Sequence, residues 1–245
     1  MVRVVNHEAR KRAILAATIN HYIEYAQPVS SEEIARDFNL SSATIRNIFA
    51  ELEKEGSLTH PYTSAGRIPT EQGWRYYVDF LLSETELLDE EKEMIVNEYK
   101  KEIVRLEDVL EKTSEVVSTI THYTSIVSLL EWQDRFFYNG LSFVLEEPEF
   151  RDSLRLKLLV RMLEERRNLL NIINREFSGK VKVYIGQELA CPEMRDCAIA
   201  VSAYSVKTKP VGRLAVLGPV RMNYKHIIPT LEYVSEVLSN ILNEI

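Results

Sequence analysis

The chain has 245 residues, 45% of them hydrophobic and 27% charged, enough to bury a sizeable core in one or two domains. With a net charge of −7, evenly spread charge would argue against nucleic acid, because phosphate contacts supply most non-specific affinity. No stretch approaches the ~18 apolar residues of a membrane span, and MVRVVNHEARKR lacks the apolar centre of a secretory signal. We therefore expect a cytoplasmic protein with no membrane partner.

The charge is unevenly placed. Residues 1–12 hold Arg3, Arg10, Lys11 and Arg12 against Glu8, whereas residues 84–98 hold Glu84, Glu86, Asp89, Glu90, Glu91, Glu93 and Glu98 against Lys92. Apolar residues recur at helical spacing over 8–25, in rows Ile14, Thr18, Tyr22 and Leu15, Ile19, Ile23, which predicts a first helix. After Pro28, Ser30 or Ser31 caps a short second helix with Glu32 and Glu33 in its first turn, and Asn39-Leu40 makes a tight turn. Ser41 or Ser42 opens a third helix to about Glu55, with Ile45, Ile48, Phe49 and Leu52 inward and Gly56 as its left-handed stop.

From Leu58 to Thr70 the chain is too short and too rich in Pro, Ser and Gly for a helix, and Ser64-Ala65-Gly66 reads as a hairpin tip. Thr70 caps a further helix, EQGWRYYVDFLL, that packs back on the first three. Residues 1–83 thus form one domain. Between 86 and 117, Leu88, Ile95, Tyr99, Ile103, Leu106, Leu110 and Val117 recur with charges between them, so residues 84–117 are expected to form one long amphipathic linker helix or dimer seam.

The remainder, 118–245, mixes types. THYTSIVSLL, VKVYIG, CAIAVSAYSV and GRLAVLG read as strands, and 134–145, 152–176 and 224–243 as helices, giving an α+β domain around a small sheet. Five scattered histidines and two cysteines, Cys191 and Cys197, supply neither a metal cluster nor a disulfide framework. Glu193 and Asp196 precede Cys197, but no histidine close in sequence can act as its base. We expect no catalytic site, no metal and no cofactor. Arg213 and Arg221, near Gly212 and Gly218, could line an anion pocket; turn glycines with surface arginines are the preferred reading. Arg155, Lys157, Arg161, Arg166 and Arg167 read as a solvated helix face.

A short helix, a turn and a second capped helix hold that last helix where it can enter a major groove ~12 Å wide. With Ile45, Phe49 and Leu52 inside, its outer face is Ser42, Ala43, Arg46, Asn47 and Ala50. Arg46 can take a guanine edge bidentately and Asn47 an adenine edge. Arg67, beside the flexible Gly66 and flanked by His60, Thr63 and Ser64, can reach phosphates or an adjacent minor groove. The same architecture also serves as a protein-interaction or ligand-sensing module, so spacing alone leaves both open.

The run PVSSEEIARDFNLSSATIRNIFAELEKEGSLTHPYTSAGRIPTEQGWRYYVDFLL resembles the N-terminal domain of the heat-inducible transcription repressor HrcA family, with SSATIRN and TSAGRIPT a highly specific pair. GLSFVLEEPEF, MRDCAIAVSAY and PVGRLAVLGPVRMNY resemble, more weakly, later parts of the family's GAF-like domain. The resemblance implies an N-terminal winged helix-turn-helix and a C-terminal GAF-like α+β domain, reduced in this chain. It further implies a homodimer that represses chaperone genes from an inverted-repeat operator in double-stranded DNA, kept active by the chaperonin GroEL. Carried over by motif, Ser42, Thr44, Arg46 and Asn47 are recognition-helix residues, and Thr63, Ser64, Gly66 and Arg67 are the wing. The chain departs from the family at Ile48, usually an acid, which either alters the edge of the recognition helix or packs with Phe49. It is also shorter: THYTSIVSLL runs almost directly into WQDRFFYNGLSFVLEEPEF, without the early GAF-like strands and much of the inserted dimerisation region.

Overall fold

A computed structural model describes residues 2–62, 65–82, 86–99 and 105–244. The chain divides into two compact units, Met1–Ser83 and Glu84–Ile245.

In the first unit, α1 (Val2–Tyr25) begins six residues before its sequence pattern does. Helix α2 (Ser31–Phe38) opens on a capping box. Ser30 Oγ accepts from the Glu33 amide at 3.3 Å and the Glu33 carboxylate accepts from the Ser30 amide at 2.7 Å, so two amides that the first helical turn leaves without partners are satisfied. Asn39 then adopts the left-handed conformation and ends the helix. Helix α3 (Ser42–Lys54) is capped by Ser41, and Gly56, at φ 77°, turns the chain into β1 (Leu58–Thr59). Strand β1 pairs antiparallel with β2 (Ile68–Pro69). Helix α4 (Glu71–Tyr76), capped by Thr70, passes into a π-helical turn over Tyr77–Leu81 instead of continuing as α-helix. That turn carries fully buried Tyr77, whose hydroxyl donates to Asn20 Oδ1 at 2.6 Å and whose ring meets Trp74 edge-on. Ile14, Ile19, Ile34, Ile45, Phe49 and Leu52 complete the core.

The capping box makes α2 sensitive to acid. Bonds from the Ser30 backbone and side chain hold the Glu33 carboxyl below its ordinary 4.5, against the opposing effect of burial. The unfolded chain therefore binds this proton more readily than the folded one. The stabilisation is complete above the unfolded value near 4.5 and is lost as pH falls through the lower folded value. Glu33→Gln should cost about 0.5–2 kcal/mol at pH 7 and show a smaller loss than the parent between pH 5 and 3, read from thermal melts. Parallel acid limbs for the two proteins would count against this assignment.

The second unit opens with two helices, α5 (Asp89–Tyr99) and α6 (Leu106–Thr121), in place of the single long helix expected over 84–117. Arg105 is extended, at φ −111° and ψ 139°. The Tyr99 hydroxyl donates to Thr113 Oγ1 at 2.8 Å and Lys112 meets Glu98 at 2.6 Å. In one continuous helix residues 99 and 113 would lie roughly 21 Å apart, so α5 and α6 are folded side by side. Their shared amphipathic pattern serves a core, since α6 buries Val109, Leu110, Val116 and Val117.

Then follow β3 (Thr124–Leu129), β4 (Phe137–Asn139), α7 (Leu141–Glu146), α8 (Ser153–Glu164), α9 (Arg166–Ile173), β5 (Val181–Ile185), β6 (Cys197–Val206), β7 (Lys209–Pro219) and α10 (Tyr224–Glu244). The helix expected over 134–145 is instead β4 and α7, separated by left-handed Gly140. The strands form one antiparallel sheet in the order β4-β3-β7-β6-β5. Helices α6 and α10 pack on it, and Ser202 Oγ donates to the Leu231 carbonyl at 3.3 Å. The α+β class therefore stands. Arg213 and Arg221, expected on the surface, are only 6% and 7% exposed: Arg213 lies within β7 opposite Ser128 and Ala203, and Arg221 lies just beyond the strand's C-terminal end. Burial pushes the Cys197 thiol up to about 12, so it has no thiolate to offer as a nucleophile.

Candidate nucleic-acid interface

In residues 1–83 nine Lys and Arg face ten Asp and Glu, so a polyanion would have to be met by placement of charge rather than by its sum. Lys11 is committed to Glu55 at 2.5 Å and Glu8 at 2.9 Å, and Arg75 to Asp79 at 3.1 Å.

Arg46 is placed differently. It stands exposed on α3, and among the described residues its guanidinium hydrogen-bonds within its own helix, at 3.2 Å to Ser42 Oγ and 3.4 Å to the Ser42 carbonyl. Ala43, Asn47 and Ala50 are exposed beside it and Ser42 is half-buried. The outer face of α3 is therefore small side chains around one extended cation and one amide. Thr44 is turned to the helix start, its hydroxyl 2.8 Å from that of the Ser41 cap. Ile48 is 3% exposed and packs in the core beside Phe49, which settles the departure at that position in favour of packing.

The hairpin is drawn against this face by an element that sequence spacing did not single out. Val29, between α1 and α2, forms an antiparallel bridge with Arg67, with amide-to-carbonyl distances of 2.9 and 2.8 Å, and so acts as a third strand. The signal was the extended, β-branched Val after Pro28. Gly66 serves this contact through its size, since a Cβ there would lie 2.4 Å from the Val29 carbonyl oxygen. Its role is close approach of two backbones. Gly66→Ala should break the bridge and cost about 1–3 kcal/mol, with the Val29 and Arg67 amides losing hydrogen-exchange protection before those of α1. Unchanged protection at those two amides would contradict it.

Arg67 does not extend outward. Its Nη2 donates to Glu53 Oε2 at 3.0 Å and its Nη1 to the Ala65 carbonyl at 3.1 Å, while Nε is buried with no partner among the described residues. His60 Nδ1 meets the other Glu53 oxygen at 2.6 Å. Glu53, which sequence reasoning missed, thus braces the hairpin to the end of α3. Nothing local in the sequence joins residues 53, 60 and 67. Thr63 and Ser64 lie outside the described residues. Between the start of α2, the outer face of α3 and the hairpin is a hollow of about 370 Å³, lined in part by Ser30, Ser31, Arg46, Gly66 and Arg67. Arg46 of α3 and Gly66 and Arg67 of the hairpin therefore line one hollow.

Comparison with known proteins gives the class first. The heat-inducible transcription repressor HrcA of Pelotomaculum thermopropionicum is 28% identical over a match spanning 96% of this chain and 97% of that protein. The repressor of the same name from Carboxydothermus hydrogenoformans is 29% identical over 96% and 98%. These proteins are transcriptional repressors. The family profile described as HrcA protein C terminal domain matches residues 128–228, inside the second unit. Over nearly its whole length the chain is similar to HrcA repressors, and part of its second unit matches the HrcA C-terminal domain. The first alignment runs over 337 positions, more than the chain's 245 residues, so the relative carries segments absent here. A crystal structure of a hypothetical protein, 20% identical, superposes with a TM-score of 0.79 over 96% of this chain and 98% of its own, and shares the fold. Among the described residues no helix is long and apolar enough to cross a membrane.

Proposed function

We propose that residues 1–83 are a winged helix-turn-helix, with α3 as recognition helix and β1-β2 as wing, and that the protein represses transcription of heat-shock genes as a homodimer on an inverted-repeat DNA operator. The observation that carries this reading is the outer face of α3: Ala43, Asn47 and Ala50 are small enough to enter a groove, and Arg46 projects from among them with, among the described residues, no acid within ion-pair distance. Arg46 reads a guanine edge and Asn47 an adenine edge. Ser42 holds the Arg46 side chain along the helix before DNA arrives, and Thr44 fixes the helix start. Arg67 positions the wing through Glu53, and Gly66 permits its approach. Repression follows from occupancy, as two such units in successive major grooves exclude polymerase.

A fluorescence-anisotropy titration of the full chain tests this, using an inverted-repeat duplex from upstream of a chaperone gene and a scrambled duplex at two salt concentrations. Preference for the inverted repeat by a factor of about 10³ or more, weakening steeply with salt, is the expected result. Equal binding to both duplexes would overturn the operator, and absence of binding to either would overturn the DNA-binding reading in favour of a protein-interaction module.

A further inference from the structure

Two arginines are buried in the second unit, Arg213 within β7 and Arg221 just beyond its C-terminal end, and they are treated differently. Arg221 is held by Glu147 and Glu149. Arg213, with 6% of its surface exposed, has no carboxylate within ion-pair distance among the described residues. Its Nε is buried without a partner, Nη1 has a single long bond of 3.4 Å to the Gly212 carbonyl, and the guanidinium carbon lies 5.2 Å from the centre of the Phe177 ring. Buried charges are ordinarily paired, because transfer from water into a low dielectric is costly. Desolvation accordingly lowers the affinity of this guanidinium for its own proton.

The neighbours across the ladder add a second donor. Arg213 stands opposite Ser128 on β3 and Ala203 on β6, so the three side chains share one face in adjacent strands. The Ser128 hydroxyl is fully buried with no hydrogen-bond partner, although its carbonyl accepts from the Tyr204 hydroxyl at 2.8 Å. Ala203 contributes only a methyl group, and both it and Phe177 are half-buried, so solvent meets this face at those two residues. Two unpaired donors, one charged and one neutral, stand side by side next to an aromatic ring and a small residue. A planar anion with two acceptor oxygens would satisfy both donors, and the guanidinium fork suits a carboxylate.

We propose that Arg213 and Ser128 form a binding site for a small organic carboxylate whose apolar body lies against Phe177 and Ala203. The site is independent of the DNA-binding reading. Sodium benzoate is the probe. Thermal unfolding of the full chain, followed against equal sodium chloride, should rise by about 2–4 °C at tenfold excess over the dissociation constant. Calorimetric titration should give an affinity that falls at least tenfold in Arg213→Met and about tenfold in Ser128→Ala. Without benzoate, Arg213→Met should unfold no earlier than the parent, because it removes an unpaired buried charge. Should that variant fail to fold, the guanidinium is a structural brace and the proposal falls. Parental affinity in Ser128→Ala, or a benzoate response no larger than that to chloride, would overturn it too. Stabilisation by inorganic phosphate but not by benzoate would rule out the carboxylate class.

Discussion

Arg46→Ala is expected to weaken binding to the inverted-repeat duplex by about 5- to 150-fold, the equivalent of the 1–3 kcal/mol that a bidentate arginine–guanine contact contributes. The fold should not notice. Arg46 is exposed and, among the described residues, bonds to Ser42 within α3, so its removal strands none of their buried groups, and unfolding should move by no more than about 0.5 kcal/mol. That separation makes the substitution informative, since a loss of affinity with unchanged melting can only be a loss of contact. The loss should be concentrated on the inverted repeat, with binding to scrambled duplex reduced far less, because a base-edge contact carries sequence information and a phosphate contact does not. Equal losses on both duplexes would demote Arg46 to a phosphate contact. An affinity unchanged on either would remove it from the interface.

Arg221→Met should be the most damaging single change in the second unit. The arginine side chain is 9% exposed and those of Glu147 and Glu149 are 19% exposed, with Nε 2.7 Å from Glu149 Oε1 and Nη2 in contact with Glu147. Removing the cation strands two partly buried carboxylates side by side, a class of change that costs about 3–5 kcal/mol. Their remaining exposure places the expectation near 3 kcal/mol, or a melting temperature roughly 6–12 °C lower. The penalty belongs to the unpaired acids rather than to the lost bond, so adding Glu147→Gln and Glu149→Gln to Arg221→Met should recover most of it. A single variant that melts within about 1 °C of the parent, or a triple variant as unstable as the single one, would show that the cluster does not carry this load.

The same cluster explains why GLSFVLEEPEF and PVGRLAVLGPVRMNY stand out together in the sequence: the acids of the first clasp the arginine of the second across more than seventy residues of chain. Neither stretch announces that partnership by itself. Likewise Glu53 gathers His60 and Arg67, and Val29 pairs with Arg67, only once the hairpin has closed on α3.

Short-range chemistry was sufficient for the elements of the first unit. Ser30 with Glu33, Ser41, Thr70 and Gly56 mark helix ends through bonds spanning three or four residues. The 3- and 4-residue spacing of Ile45, Ile48, Phe49 and Leu52 likewise assigned the outer face of α3 that carries Arg46 and Asn47. Strands β5, β6 and β7 were legible as apolar runs bounded by turn residues. Tertiary structure decided whatever depends on which apolar face meets which. The periodicity of 86–117 is compatible with one helix or with two folded together. The sheet and the contacts of Tyr99 with Thr113 and Glu98 with Lys112 select two. Arg213 and Arg221 are both cations near a glycine in the sequence. Burial of both, with acids within reach of Arg221 and, among the described residues, none within ion-pair distance of Arg213, made Arg221 a clasp and left Arg213 without a salt bridge, because burial and pairing are set by residues that meet only in the folded chain.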